Sequence, residues 1–150
     1  MQILNLPHYE FKTRVENGKK FIFDPFRSKY LMLTPEENVR QHFARYLIEE
    51  LAYPATLMMS EHSLSLNKMN KRCDLIVFDR SGAPLLLVEC KAPEVKISQA
   101  VFDQVARYNQ VFKVSYLMVT NGMKHYCCKI DFATGKIEFL QSMPAYLDLT

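Results

Sequence analysis

No apolar run in the 150-residue chain approaches 18 residues, which excludes a membrane-spanning helix. Met1 to Pro7 lacks a basic segment followed by an apolar stretch, so no secretory signal is expected. No C-x-x-C occurs among Cys73, Cys90, Cys127 and Cys128, and the clustered spacing that zinc or iron–sulfur ligation needs is missing. Cys73 and Cys90 sit in apolar, strand-like runs, and the expectation is buried free thiols in a reducing cytoplasm. Internal repeats, low-complexity tracts and linkers are also missing, and the seven prolines are scattered. The simplest organisation is one domain over residues 1–150.

The residues that are present suit a compact core. The chain is 49% hydrophobic and 23% charged. Its net charge of +3 is compatible with a phosphate-rich partner without requiring one. Residues 9–15 and 19–24 flank Asn17-Gly18, a turn signal because both residues tolerate positive φ. This predicts an N-terminal β-hairpin extension over 1–29, appended to a core over 30–130. Thr34-Pro35-Glu36-Glu37 opens a helix, with Thr34 as N-cap, Pro35 at the first helical position and Glu37 closing a capping box. Val39, Phe43, Leu47 and Leu51 follow at helical spacing. At about 100° per residue Glu36 falls in the middle of their core-facing stripe. A carboxylate there wants a partner; the alternative is a solvated acid favourable to the helix dipole.

Strands are expected at 56–66, 73–79 and 84–91, the last two joined by a turn at Ser81-Gly82. Ser98 caps a second helix reaching about Phe112. Strands at 116–120, 125–130 and 137–140 complete a mixed α/β layer fold. If the Ser81-Gly82 loop holds an even number of residues, Asp74 lies directly opposite Glu89, with β-carbons about 4.5–5.5 Å apart. Two carboxylates that close repel unless a counter-charge intervenes, and a divalent cation such as Mg2+ supplies one. Lys91, two residues past Glu89, shares its face. Carboxylates, a cation and a lysine are the parts of phosphodiester hydrolysis. An acid–lysine ion-pair cluster at the sheet rim is the competing reading. Gln104 and Tyr108, one helical turn apart, share a face of the second helix. They either pack at the core or brace the carboxylates. Lys68, Lys71, Arg72, Lys96 and Arg107 are candidate phosphate contacts, or solvated surface charges.

The sequence resembles the PD-(D/E)xK nuclease superfamily, and more closely the N-terminal nuclease domain of type I restriction enzyme R subunits. The resemblance rests on Pro35-Glu36-Glu37-Asn38-Val39-Arg40-Gln41, Arg72-Cys73-Asp74-Leu75-Ile76-Val77 and Leu87-Val88-Glu89-Cys90-Lys91-Ala92-Pro93. It continues through Gln104-Val105-Ala106-Arg107-Tyr108, the Q-x-x-x-Y pattern of the RecB-type branch, and Leu117-Met118-Val119-Thr120-Asn121-Gly122. It implies a restriction-endonuclease-like αβββαβ core, a mixed central sheet flanked by helices. It further implies a Mg2+ (or Mn2+) site on Asp74, Glu89 and the Cys90 carbonyl. Lys91 would handle the attacking water, with Glu36, Gln104 and Tyr108 assisting. Cys73 stands where the superfamily's name has proline. No G-x-x-x-x-G-K-S/T phosphate loop occurs, so no translocating motor is expected within these 150 residues. The expected function is a metal-dependent DNA endonuclease; the alternative is a catalytically silent DNA-binding or assembly module. Expected partners are DNA and, in turn, a second copy forming a homodimer or the subunits of a restriction or repair complex. No membrane is expected.

Overall fold

The computed structural model describes residues 1–66 and 69–149, with the side chains of 61–73, 108 and 111 outside the description. Three short strands come first: β1 (Thr13–Glu16), β2 (Lys19–Asp24) and β3 (Lys29–Met32). They form an antiparallel sheet in the order β1-β2-β3. Asn17 and Gly18 take φ of 52° and 75°, as the sequence signal requires. The predicted hairpin is therefore the first two strands of a meander. The third strand escaped notice because Lys29–Met32 is short and comes after an irregular Pro25–Ser28 turn.

Helix α1 (Pro35–Leu51) starts as expected: Thr34 Oγ1 accepts from the Glu37 amide at 3.0 Å. The reciprocal half of the capping box is not made. The Thr34 amide donates to the Met32 carbonyl instead, and the Glu37 carboxylate binds Arg40. Ala52, in the left-handed region at φ 58°, ends the helix before Tyr53-Pro54.

The main sheet contains β4 (Met58–Leu66), β5 (Met69–Phe78), β6 (Pro84–Cys90), β7 (Tyr116–Thr120), β8 (His125–Asp131) and β9 (Lys136–Phe139). They lie in that order, with β6 and β7 parallel and the other described pairs antiparallel. Helix α2 (Gln99–Phe112) makes the crossover that a parallel pair demands. Ser98 occupies its N-cap with extended backbone but makes no side-chain capping bond. Alternation along the strands divides the core between two faces. Leu75, Val77, Leu86, Val88, Cys90, Met118 and Cys127 pack with Val39, Phe43 and Leu47 of α1. Ile76, Leu87, Leu117, Val119 and Cys128 pack with Val105 and Phe112 of α2. Each fully buried aliphatic side chain contributes about 1.5–3 kcal/mol. Cys90, Cys127 and Cys128 are buried free thiols; the side chain of Cys73 lies outside the described residues.

Register in the β5–β6 pair decides which side chains meet at the rim of this sheet. Leu75 opposes Val88, Ile76 opposes Leu87 and Val77 opposes Leu86, the pairing that an even loop would give. The loop itself, residues 79–83, is odd in length. A bulge restores the phase: Phe78 opposes Pro84, leaving Leu85 unpaired. Asp79 organises the turn, its Oδ1 accepting from Ser81 N, Ser81 Oγ and Ala83 N.

Candidate metal centre and acidic cleft

Continuing the register one step beyond Leu75 and Val88 sets Asp74 opposite Glu89. By alternation Glu89 falls on the face of Leu87, opposite that of Val88, at the rim where β6 ends. The Cys90 amide donates to Asp74 Oδ2 at 2.6 Å, fixing that carboxylate against the end of β6. Lys91 lies just past the strand, held by its amide to the Thr120 carbonyl at 2.8 Å. Its Nζ stands 3.2 Å from Glu89 Oε1, with 23% of the side chain exposed. Lys91 therefore turns toward the carboxylates rather than into solvent.

Burial and the neighbouring Glu89 charge push the Asp74 carboxyl far above its usual range, against the Cys90 amide, which lowers it. Burial also raises Glu89, opposed by Lys91. Lys91 is raised in turn, because Glu89, Glu36 and Asp74 outweigh its desolvation. Lys91 thus faces the buried Glu89, the half-buried Asp74 and a third acid nearby. That excess of negative charge suits a cation.

Asp74 opens into a cavity of about 190 Å³ lined also by Thr34, Glu36, Glu37 and Arg40. A larger hollow under the N-terminal segment is lined by Met1–Leu4, Leu6, Pro7, His8, Asn38 and His42, with no carboxylate among these described residues. Glu36 is exposed rather than buried in the core-facing stripe. At the first turn of α1 that stripe runs off the edge of the sheet, so the side chain meets the cleft instead of the core. Its charge raises both Asp74 and Glu89.

Sequence reasoning missed Arg40. It is 2% exposed, and its Nε donates to Glu37 Oε2 at 2.7 Å while Nη2 reaches Glu37 Oε1 and, at 3.2 Å, Asp24 Oδ2. Asp24, wholly buried at the end of β2, also accepts from Arg27 Nε and Ser60 Oγ, each at 2.8 Å, and from the Phe26 amide. The signal available was an arginine at helical spacing between Glu36 and the apolar stripe.

Gln104 sits half-buried on α2 and is not among the residues lining the cavity; the Tyr108 side chain lies outside the described residues. So does all of Lys68, and the side chains of Lys71 and Arg72. Lys96 and Arg107 are exposed. Among the described residues, no group of three His, Cys, Asp or Glu side chains is arranged to hold a metal. The donor set present is smaller: the carboxylates of Asp74 and Glu89. It fits magnesium, which binds through one or two carboxylates and keeps several waters. Among the described residues, no helix is long and apolar enough to cross a membrane.

A mixed α/β layer fold with an acidic cleft at one sheet rim is thus the class of this protein. Residues 35–144 match the family described as type I restriction enzyme R protein N terminus, and the chain belongs to that family. Its fold is similar to a fragment assigned as an HsdR subunit of a type I restriction enzyme from Vibrio vulnificus YJ016. That match has a TM-score of 0.56 and 18% identity, and covers 78% of this chain. The chain spans only 24% of that structure's length. No curated protein matches the sequence.

Proposed function

We propose that this domain is a magnesium-dependent DNA endonuclease of the PD-(D/E)xK type. The observation that carries the reading is the convergence of Asp74, Glu89 and Lys91 at the rim of β5 and β6. Asp74, Glu89 and the Cys90 carbonyl would hold Mg2+ or Mn2+. The metal, when bound, supplies a lowered pKa for water and polarisation of the phosphoryl oxygens. Lys91 Nζ, kept charged by its acid neighbours, orients a water and offsets charge developing on a phosphate oxygen. Glu36, on the open side of the cleft, accepts a proton or a hydrogen bond from that water. Gln104 and Tyr108 complete the set from α2, on the sheet face that carries Glu89. Lys68, Lys71, Arg72, Lys96 and Arg107 are the proposed phosphate contacts around it. The domain would act within a cytoplasmic restriction or repair complex, or as a homodimer where both strands are cut.

The sparse donor set favours a second reading, a DNA-binding or assembly module that keeps the fold without the chemistry. Incubation with DNA and Mg2+ or Mn2+ separates them. Cleavage lost in Asp74→Ala and Lys91→Ala supports the nuclease. Cleavage unchanged in both variants overturns the site, and no cleavage with salt-dependent DNA affinity supports the module.

A further inference from the structure

The N-terminal sheet carries a feature that the cleft does not use. Residues 12–29 hold six cations (Lys12, Arg14, Lys19, Lys20, Arg27 and Lys29) and two carboxylates (Glu16 and Asp24), a net +4. The whole chain is only +3, so this segment holds all of the excess positive charge and the rest is slightly acidic. Ile22 and Asp24, 1% and 0% exposed, mark the inner face of the sheet. Alternation and register then assign Arg14, Lys19, Phe21, Phe23 and Tyr30 to the outer face, with Lys12 level with Phe23. Lys12 Nζ lies 5.7 Å from the centroid of the Phe23 ring, and the Arg14 guanidinium 4.1 Å from that of Tyr30. The rings of Phe23 and Tyr30 meet edge to face at 5.3 Å. Arg14, Lys12 and Lys19 are exposed and the three rings half-buried. Among the described residues, Glu16 is the one acid on this face, 3.5 Å from Arg14.

We infer that the outer face of the β1–β2–β3 sheet is a binding surface for single-stranded DNA. Exposed cations track a phosphate backbone, and rings with guanidinium planes give sequence-tolerant stacking to unpaired bases. A duplex would engage the cations but leave the aromatic rings without a role. Asp24, on the inner face of the same sheet, binds Arg40, which lines the same cavity as Asp74. The inference rests on the reading of the domain as acting on DNA, and names the form of DNA it holds.

The test is fluorescence anisotropy with a labelled oligothymidine and with a matched duplex, in EDTA so that cleavage does not enter. The wild type should bind the single strand more tightly than the duplex. Lys12→Gln, Arg14→Gln and Lys19→Gln together should weaken it and lower the slope of log affinity against log salt by about 2. Phe23→Leu should weaken binding roughly tenfold with the slope unchanged. Circular dichroism checks each fold, and the exposed charge variants decide the matter if Phe23→Leu unfolds. Single-strand affinity and slope unchanged in the triple variant, or preference for the duplex, overturn the inference. The cleavage assay is read separately. Loss of metal-dependent cutting with single-strand binding intact overturns only the nuclease reading, and the converse overturns only this surface.

Discussion

Asp74 accepts a hydrogen bond from the Cys90 amide at 2.6 Å, so the carboxylate on one strand is positioned by the backbone of the residue between Glu89 and Lys91 on the next. The acid and the E-x-K tripeptide are thus one structural unit. Their relative placement depends on strand register rather than on flexible side chains.

The first prediction concerns Lys91. Lys91→Ala should lower metal-dependent cleavage by about 10²–10⁴-fold, the range for a positioned proton-transfer or charge-stabilising group. Binding of uncleaved DNA should change far less. Single-turnover cleavage and anisotropy, measured on the same preparations, check this.

Asp74 should make the metal-free domain less stable as pH rises. Its carboxyl is pushed up to about 8 by burial and by Glu89, above an unfolded value of about 3.9. The folded state therefore binds the extra proton between those values. The stabilisation is full below the lower one and is lost as pH climbs through the higher. Asp74→Asn keeps an acceptor for the Cys90 amide and should flatten this dependence. Urea melts in EDTA at pH 5 and pH 8 measure it. Mn2+ should raise the wild type's stability at pH 8 and leave Asp74→Asn nearly unchanged.

Asp24 should behave with the opposite sign. Burial alone would raise its pKa, but Arg27, Arg40, Ser60 and the Phe26 amide together hold it below the usual value. Its contribution is present above the unfolded value and is lost as pH falls through the folded one, in the acid limb below about pH 4. Asp24→Asn should remove that part of the acid sensitivity.

Breaking the buried pair from the other side should cost more than any surface change. Arg40→Met leaves Asp24 and Glu37 buried without their shared cation, and should destabilise the domain by about 3–5 kcal/mol. Equilibrium denaturation gives the value. A double variant with Asp24→Asn should cost less than the sum of the two single changes.

Thr34→Ala should cost about 0.5–2 kcal/mol through the lost cap on Glu37 N. Glu37→Gln should not mimic it, because the Glu37 carboxylate serves Arg40 rather than the Thr34 amide.

Much of this was legible in the chain because the signals were local. Thr34-Pro35, the apolar spacing of Val39 to Leu47, Asn17-Gly18 and the buried run Leu86–Val88 each act over a few residues. Together they placed α1, the β1–β2 hairpin and strand β6. The features that were not legible depended on contacts across long separations. Glu37 read as a capping residue because Arg40's second partner, Asp24, comes from another sheet. Glu36 read as core-facing because helical angle says nothing about where the sheet beneath the helix ends. Strand β3 was missed because its pairing with β2, rather than its own sequence, makes it a strand.

Leu85, the unpaired residue of the bulge, bears on how this domain tolerates change. An odd turn and one surplus strand residue cancel, so the acids at the far end of the hairpin stay in step. The surplus residue lies outside the ladder, so it is slack that the hairpin can lose. Deleting Leu85 would make Phe78–Pro84 and Val77–Leu86 adjacent rungs and leave the cleft intact, whereas deleting a paired residue such as Leu87 would set Glu89 opposite Leu75 and turn it to the other face of the sheet.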